Sequence, residues 1–317
     1  MHEYRVKPTP PFNFELTASF LSPDPTDQVD VFDGKRYMRL LELDSSARLA
    51  LVSSLGSEQR PELIITLMNG TEKDERPTGR VLNRMLGLDF DLGPFYELCQ
   101  RDQQLYALSR DHYGLKPIQR LRPFESLALA IASEGQKKHM FRATLSSIAT
   151  VHSYAVNCAG ELFYSFPNVA TFAGHEVKDL THEPVDSIQA EQLQSLAALV
   201  THGDIDLKAL RRRPTDELLA TLKSISGVST LGAQLTVLYG YGRLECFPIA
   251  DTLLQRWIAR NVYDSDKVDL SAIEVWAEQW ENLRGLVALY IYAESVSYTH
   301  LRAHETEADL VCRLLLE

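Results

Sequence analysis

Thr215-Asp216-Glu217-Leu218-Leu219-Ala220-Thr221-Leu222-Lys223-Ser224-Ile225 runs into Ser226-Gly227-Val228-Ser229-Thr230-Leu231-Gly232-Ala233-Gln234, and Phe247-Pro248-Ile249-Ala250-Asp251-Thr252-Leu253-Leu254-Gln255-Arg256-Trp257 follows. The first stretch is an amphipathic helix whose opening turn, after Pro214, holds two acids. Gly227 permits a tight backbone turn, so amides at the start of the next helix can face a phosphate. That second helix is followed by a lone carboxylate, Asp251, placed just before a third. A phosphate clamp set a fixed distance ahead of an acid suggests chemistry on nucleic acid.

The rest of the chain narrows this reading. Its 317 residues suffice for two domains, and 45% hydrophobic content suits a globular protein. Met1 to Phe20 has no continuous apolar core and contains Pro8, Pro10 and Pro11, so no secretory signal is expected and the cytoplasm is the expected compartment. The longest apolar run, Leu286 to Ala293, falls short of the roughly 20 residues that span a bilayer. Cys99, Cys158, Cys246 and Cys312 are scattered without a Cys-x-x-Cys pair, against both a disulfide framework and a zinc ribbon. The net charge is −11, and residues 112–295 hold 17 basic against 21 acidic side chains. Affinity for a polyanion would therefore need a local basic patch, because counterion release happens at the contact surface. Lys137, Lys138 and Arg142 are candidates, as are Arg211, Arg212 and Arg213; a solvated surface would read the same way.

Residues 12–70 hold strand-like runs: Tyr37 to Leu43 after the Asp33-Gly34 turn, Arg48 to Leu55, and Glu62 to Met68. Their spacing predicts an antiparallel meander. Residues 74–111 read as helices broken at Gly87 and at Gly93-Pro94. From about residue 112 the pattern is almost wholly helical. Pro123 opens a helix with Phe124, Leu127, Ala128 and Ile131 on one face. Gly135 ends it, Gln136 to His152 forms the next, and Asp186 to Val200 is a further amphipathic segment.

The stretch from Gly227 to Asp251 resembles the helix-hairpin-helix DNA glycosylase superfamily, whose pattern is Leu-x-Gly-Val/Ile-Gly-x-x-x-Ala, a helix, then Pro-x-x-Asp. Within it the chain is most similar to the 3-methyladenine DNA glycosylase II family. The resemblance extends through Gly114-Leu115-Lys116-Pro117, Pro123-Phe124-Glu125-Ser126-Leu127 and Trp280-Glu281-Asn282-Leu283-Arg284-Gly285, covering nearly the whole chain to about residue 295. It implies an α+β N-terminal domain (a small antiparallel sheet with helices) over 1–111, followed by an all-α helix-hairpin-helix glycosylase domain over 112–295. Val296 to Thr306 resembles a translated sequencing adapter, so 296–317 is expected to be a non-native, adapter-derived tail.

The resemblance also implies an activity: hydrolysis of the N-glycosidic bond of alkylated purines, 3-methyladenine or 7-methylguanine, in double-stranded DNA with damaged bases. A monomer is implied, with no organic cofactor and no metal; some related hairpins hold a monovalent cation on backbone carbonyls. Asp251 would be the catalytic carboxylate, stabilising an oxocarbenium-like sugar and orienting water. By position it would equally serve as a helix cap. Leu231 stands where bifunctional members carry a nucleophilic lysine, and leucine forms no Schiff base. Gly227, Ser229, Thr230 and Gly232 would present amides to DNA, joined by Gln136 and Lys137. A plain helix–turn–helix corner would look alike, and a left-handed backbone at Ser229 would cost more than at glycine. Leu231, Leu235, Tyr292 and Phe124 would line the base pocket, thinner in aromatics than in close relatives. Glu134 and Gly135 stand where the family places a Gln and a bulky wedge. A weakened or inactive lesion-binding relative, or an enzyme for oxidised or deaminated purines, stays open. His175-Glu176 and His182-Glu183, seven residues apart, lack the spacing of a helical metal motif.

Overall fold

The computed structural model describes residues 1–22, 28–43, 46–135, 154–181 and 185–295. Five strands, β1 (His2–Val6), β2 (Asp30–Phe32), β3 (Arg36–Leu43), β4 (Ser46–Ser54) and β5 (Leu63–Met68), form one antiparallel sheet in the order β1-β5-β4-β3-β2. β3 to β5 are the expected meander, and β2 adds a short strand across the Asp33-Gly34 turn. β1 adds an edge strand that its short, mixed sequence did not announce. Asp33 closes the β2–β3 turn by accepting from the amides of Lys35 and Arg36, while Gly34 takes φ +88°.

Both faces of β3 are buried. Tyr37, Leu41 and Leu43 join the main core with Val52, Ile65 and Leu67. Met38 and Leu40 pack with Leu49 under Phe163, which comes from a small hairpin, β6 (Ala155–Cys158) and β7 (Glu161–Tyr164). This hairpin departs from the expectation that everything after residue 112 is helical. Its four-residue strands are too short to show periodicity, and the sheet they cover supplies their partner surface.

Helix α1 (Phe14–Leu21), capped by Asn13, packs near the sheet, followed later by α2 (Glu72–Leu86), α3 (Gly93–Cys99) and α4 (Gln103–Asp111). α2 stops where Gly87 turns left-handed at φ +59°, and Pro94 sits in the first turn of α3. The breaks fall at the glycines that the sequence marked.

Beyond residue 112 come α5 (Pro123–Ala132), α6 (Val169–Gly174), α7 (Val177–Leu180), α8 (Ser187–His202), α9 (Thr215–Lys223), α10 (Thr230–Leu235), α11 (Thr252–Val262), α12 (Leu270–Glu278) and α13 (284–295). A second core gathers Leu127, Ile131, Leu193, Leu196, Leu218, Leu222, Ala233 and Val237 from α5, α8, α9 and the hairpin helix. The C-terminal helices take another course. Leu254, Ile258, Ile273, Trp276, Trp280 and 286–291 belong to the same core as the sheet. A helix apolar on all sides is stable only when enclosed, which accounts for the apolar run of α13. No described helix is long and apolar enough to cross a membrane. The expected tail, 296–317, and the expected helix from Gln136 to His152 lie outside the described residues.

Charge also crosses between sheet and helices. Arg39, fully buried, faces Asp30 across the β2–β3 ladder at 2.5 Å and reaches Glu125 in the first turn of α5 at 2.7 Å. Arg120 adds a second guanidinium to Asp30 at 2.8 Å, and the Tyr37 hydroxyl donates to Asp30 as well. Two acids and two bases balance. Burial pushes the Asp30 carboxyl up, but Arg39, Arg120 and the Tyr37 hydroxyl outweigh it and hold it below the usual value of 3.8. Its contribution is thus full above the ordinary aspartate range and is lost as pH falls through the lower folded value.

Arg39→Met keeps the stem but leaves buried Glu125 without its guanidinium and Asp30 with Arg120 alone. Urea unfolding at neutral pH should show a loss of about 3–5 kcal/mol, with the slope unchanged. The difference from the parent protein should shrink as acid protonates those carboxylates.

Candidate active site

The Phe247-Pro248-Ile249-Ala250 turn delivers Asp251 to the N-terminus of α11. The Asp251 amide donates to Pro248 O at 2.9 Å, and Gln255 Nε2 holds Ile249 O at 2.8 Å. Asp251 has extended backbone (φ −77°, ψ 116°) and caps the helix, Oδ1 accepting from the Leu253 amide at 2.7 Å. Oδ2 accepts from Tyr292 Oη, on α13, at 2.8 Å. The residue is 8% exposed. The side chain is therefore a cap, as position alone suggested, and also a buried, oriented carboxylate bonded to a second element. Burial, then the neighbouring Tyr239 and Asp251, push the Tyr292 phenol well above its ordinary value, so it remains a donor.

α10 is tied to this turn by a side chain the sequence reading passed over. Gln234 Oε1 accepts from the Ala250 amide at 3.1 Å, one residue before Asp251. A buried glutamine on a helix carries no signal by itself; its partner lies 16 residues away. The far end of the same helix is held by the 112–122 segment, where the Arg120 amide donates to Tyr239 O and Gln119 Nε2 to Gly240 O. Hairpin helix, Asp251 turn and α13 form one bonded unit.

In the hairpin, Gly227 takes φ +82°, and a Cβ there would lie 2.4 Å from Gln192 Oε1 of α8. Glycine is required both by conformation and by that close approach. Ser229 differs from expectation: its φ is −70°, so serine replaces the usual glycine without strain. Ser229 Oγ accepts the Gly232 amide at 3.1 Å. Gly232 is thereby corrected from an amide offered outward to a packing residue, since a Cβ on it would come within 3.0 Å of Ala130 Cβ. The Thr230 and Leu231 amides, in the first turn, have no acceptor in their own helix.

Leu231 and Leu235 lie half-buried one turn apart on α10. Phe124 does not join Tyr292: it is buried in the second core, edge-on to Phe172 at 5.6 Å, whereas Tyr292 packs against the first. Its helical period marks it as buried but says nothing of which core receives it. Gln136, Lys137, Lys138 and Arg142 lie outside the described residues. Glu134 is exposed and Gly135, at φ +69°, borders open space.

Of the arginine triplet, Arg211 stacks over Tyr241 at 5.5 Å and donates to Tyr241 O, so that guanidinium is committed within the fold. A different basic face lies along α11. Arg256 and Arg260, four residues apart on α11, are exposed and line a groove with Thr252, Leu253, Trp257 and Glu294. Their helical spacing just after Asp251 was the signal available to find them.

No protein-family model matches the chain. It is similar to a Bacillus subtilis protein with a provisional assignment as the DNA-3-methyladenine glycosylase YfjP, 22% identical over 292 residues, spanning 92% of this chain and 99% of that protein. Among solved structures it is similar to the 3-methyladenine DNA glycosylase of Archaeoglobus fulgidus, with TM-score 0.82, 19% identity, and coverage of 91% and 97% of the two chains. It is also similar to the Clostridium acetobutylicum 8-oxoguanine glycosylase/lyase in complex with double-stranded DNA, with TM-score 0.75, 18% identity, and coverage of 94% and 99%. A sheet-and-helix N-terminal part followed by helices around a Gly227 hairpin is thus the fold of the helix-hairpin-helix DNA glycosylases, which this chain resembles along nearly its whole length.

Proposed function

We propose that the protein is a monofunctional DNA glycosylase, hydrolysing the N-glycosidic bond of alkylated purines such as 3-methyladenine and 7-methylguanine in duplex DNA, the opening step of base excision repair. The observation that carries this reading is the doubly held Asp251 carboxylate, bonded to the Leu253 amide and Tyr292 Oη on a turn tied to the hairpin helix. The likeness to 3-methyladenine glycosylases supports the reaction class.

Breaking the bond to an alkylated purine puts positive charge on the sugar while the base leaves neutral. A fixed carboxylate stabilises that charge and takes a proton from the attacking water. The amides of Thr230 and Leu231, which have no acceptor in their own helix, would receive a phosphate. A monovalent cation on hairpin carbonyls would fit the same strand, and no organic cofactor is needed. Arg256 and Arg260 offer the local positive surface that an acidic protein requires. The working unit would be a monomer in the cytoplasm, meeting damaged double-stranded DNA.

A second reading, release of oxidised purines, is favoured by the likeness to an 8-oxoguanine enzyme. Binding without excision is favoured by Glu134 and Gly135 at the wedge positions. Duplexes each bearing one defined lesion separate the three.

Wild-type protein should release 3-methyladenine or 7-methylguanine in single turnover. Asp251→Asn retains a good helix cap but should slow release by about 100-fold or more while duplex affinity stays within about threefold. Undiminished release by that variant would remove Asp251 from the chemistry. Because Leu231 provides no amine, borohydride should trap no protein–DNA adduct, and the product strand should stay intact until treated with alkali. A trapped adduct would overturn the monofunctional assignment.

A further inference from the structure

A base turned out of a duplex leaves a hole in the stack, and an apolar side chain that fills it helps the turned-out state persist. The end of α5 supplies no such side chain. Gly135 has φ +69°, and nothing lies within 4 Å of where its Cβ would stand. Glu134 is exposed, and its carboxylate would have to give up its hydration to enter a base stack.

α8 starts beside that gap. Gln189, buried in its first turn, joins the two: Nε2 donates to Glu134 O at 3.0 Å, and Oε1 accepts from the Asp186 amide at 3.0 Å. The Asp186 carboxylate completes the box, accepting from the Gln189 amide at 2.8 Å. Further along α8, Gln192 lies against Gly227, so closely that a Cβ on the glycine would meet Gln192 Oε1 at 2.4 Å. Gly232 of the hairpin helix in turn packs against Ala130 of α5. The end of α5, the start of α8 and the hairpin therefore meet along one edge.

Ile188 stands on α8 at that edge. It precedes Gln189 directly and Gln192 by four residues, one helical turn of about 5–6 Å. Its side chain is 63% exposed, whereas Ala190, Leu193, Leu196 and Ala197 of the same helix are buried in the second core. The core gains little from it, and a β-branched residue is no asset to an exposed helix face. The exposed acids nearby, Glu134, Asp186 and Glu191, disfavour phosphate at this point. The bases are then the part of a duplex that an apolar tip here can meet.

We propose that Ile188 is the wedge of this protein: it enters the base stack beside the turned-out nucleotide and occupies the space that Gly135 leaves unfilled. This rests on the glycosylase reading above. Insertion removes the isoleucine from water only when the base is out, so its burial favours that state and leaves ordinary binding to the duplex untouched. The bonds of Gln189 to Glu134 O and to the Asp186 amide hold the helix start that carries it.

The probe is a duplex with a tetrahydrofuran abasic analogue flanked by 2-aminopurine, whose fluorescence reports its stacking. Wild-type protein and Ile188→Leu should change that fluorescence on binding, and Ile188→Ala should not. Alanine is the better helix former, so the melting temperature of Ile188→Ala should stay level or rise. Its affinity for undamaged duplex should hold within about threefold, while single-turnover release of a lesion base falls on the order of 10- to 100-fold and is restored by leucine. A fluorescence change that survives Ile188→Ala overturns the proposal, as does its absence with the wild-type protein or with Ile188→Leu. A lower melting temperature for Ile188→Ala would make the residue a packing element and overturn it too. Silence of the wild-type protein on every lesion would sink the glycosylase reading itself, and the abasic duplex would still decide whether Ile188 inserts.

Discussion

A carboxylate taken out of water must find donors, and Asp251 finds them at opposite ends of its local sequence. One is the amide of Leu253, two residues on; the other is Tyr292 Oη, 41 residues away. The first costs nothing to arrange, because an aspartate at a helix start makes that bond by itself. The second exists only if α13 lies against α11 in one register. The position of this carboxyl group therefore depends on enclosure of the apolar helix 284–295 within the main core.

That enclosure in turn depends on the sheet. The core below β3, β4 and β5 continues without interruption into Leu254, Ile258, Trp276 and Trp280, so the end of the chain completes what the beginning leaves open. Arg39 fastens the same region from another side, joining β2 to α5 through buried acids. Such a charge set offers little net stability against an apolar replacement of equal volume, but once built it penalises every alternative arrangement that separates its members. The 112–122 segment acts alongside it: Tyr290 Oη donates to Leu115 O, and Gly114 lies so near Asn13 that a Cβ would come within 2.7 Å of its amide. A motif that resembled a family signature turns out to be a structural tie.

The electrostatics of the surface follow a different logic. An overall charge of −11 repels a polyanion at long range, so the proposed recognition of DNA would rest on short-range features screened from the bulk charge. The first-turn amides of α10, which have no acceptor in their own helix, and the exposed Arg256–Arg260 face of α11 are such features. Arg211, conspicuous in sequence within its basic triplet, is instead absorbed by the Tyr241 ring and carbonyl.

Local physical chemistry made much of this legible from the chain alone. The β3–β5 meander, the helix breaks at Gly87 and Gly93-Pro94, the start at Pro123, the left-handed Gly227 and the capping aspartate all follow from the conformational preferences of a few neighbouring residues. So did the likeness to a family built on that hairpin. Only the tertiary structure decided that Ser229 caps Gly232, that Phe124 enters the core away from Tyr292, that Gln234 holds the turn before Asp251, and that Tyr292 donates to its carboxylate. Periodicity reports that a side chain is turned inward. Which other inward group it meets depends on how separate helices are packed, and no short stretch of sequence contains that information.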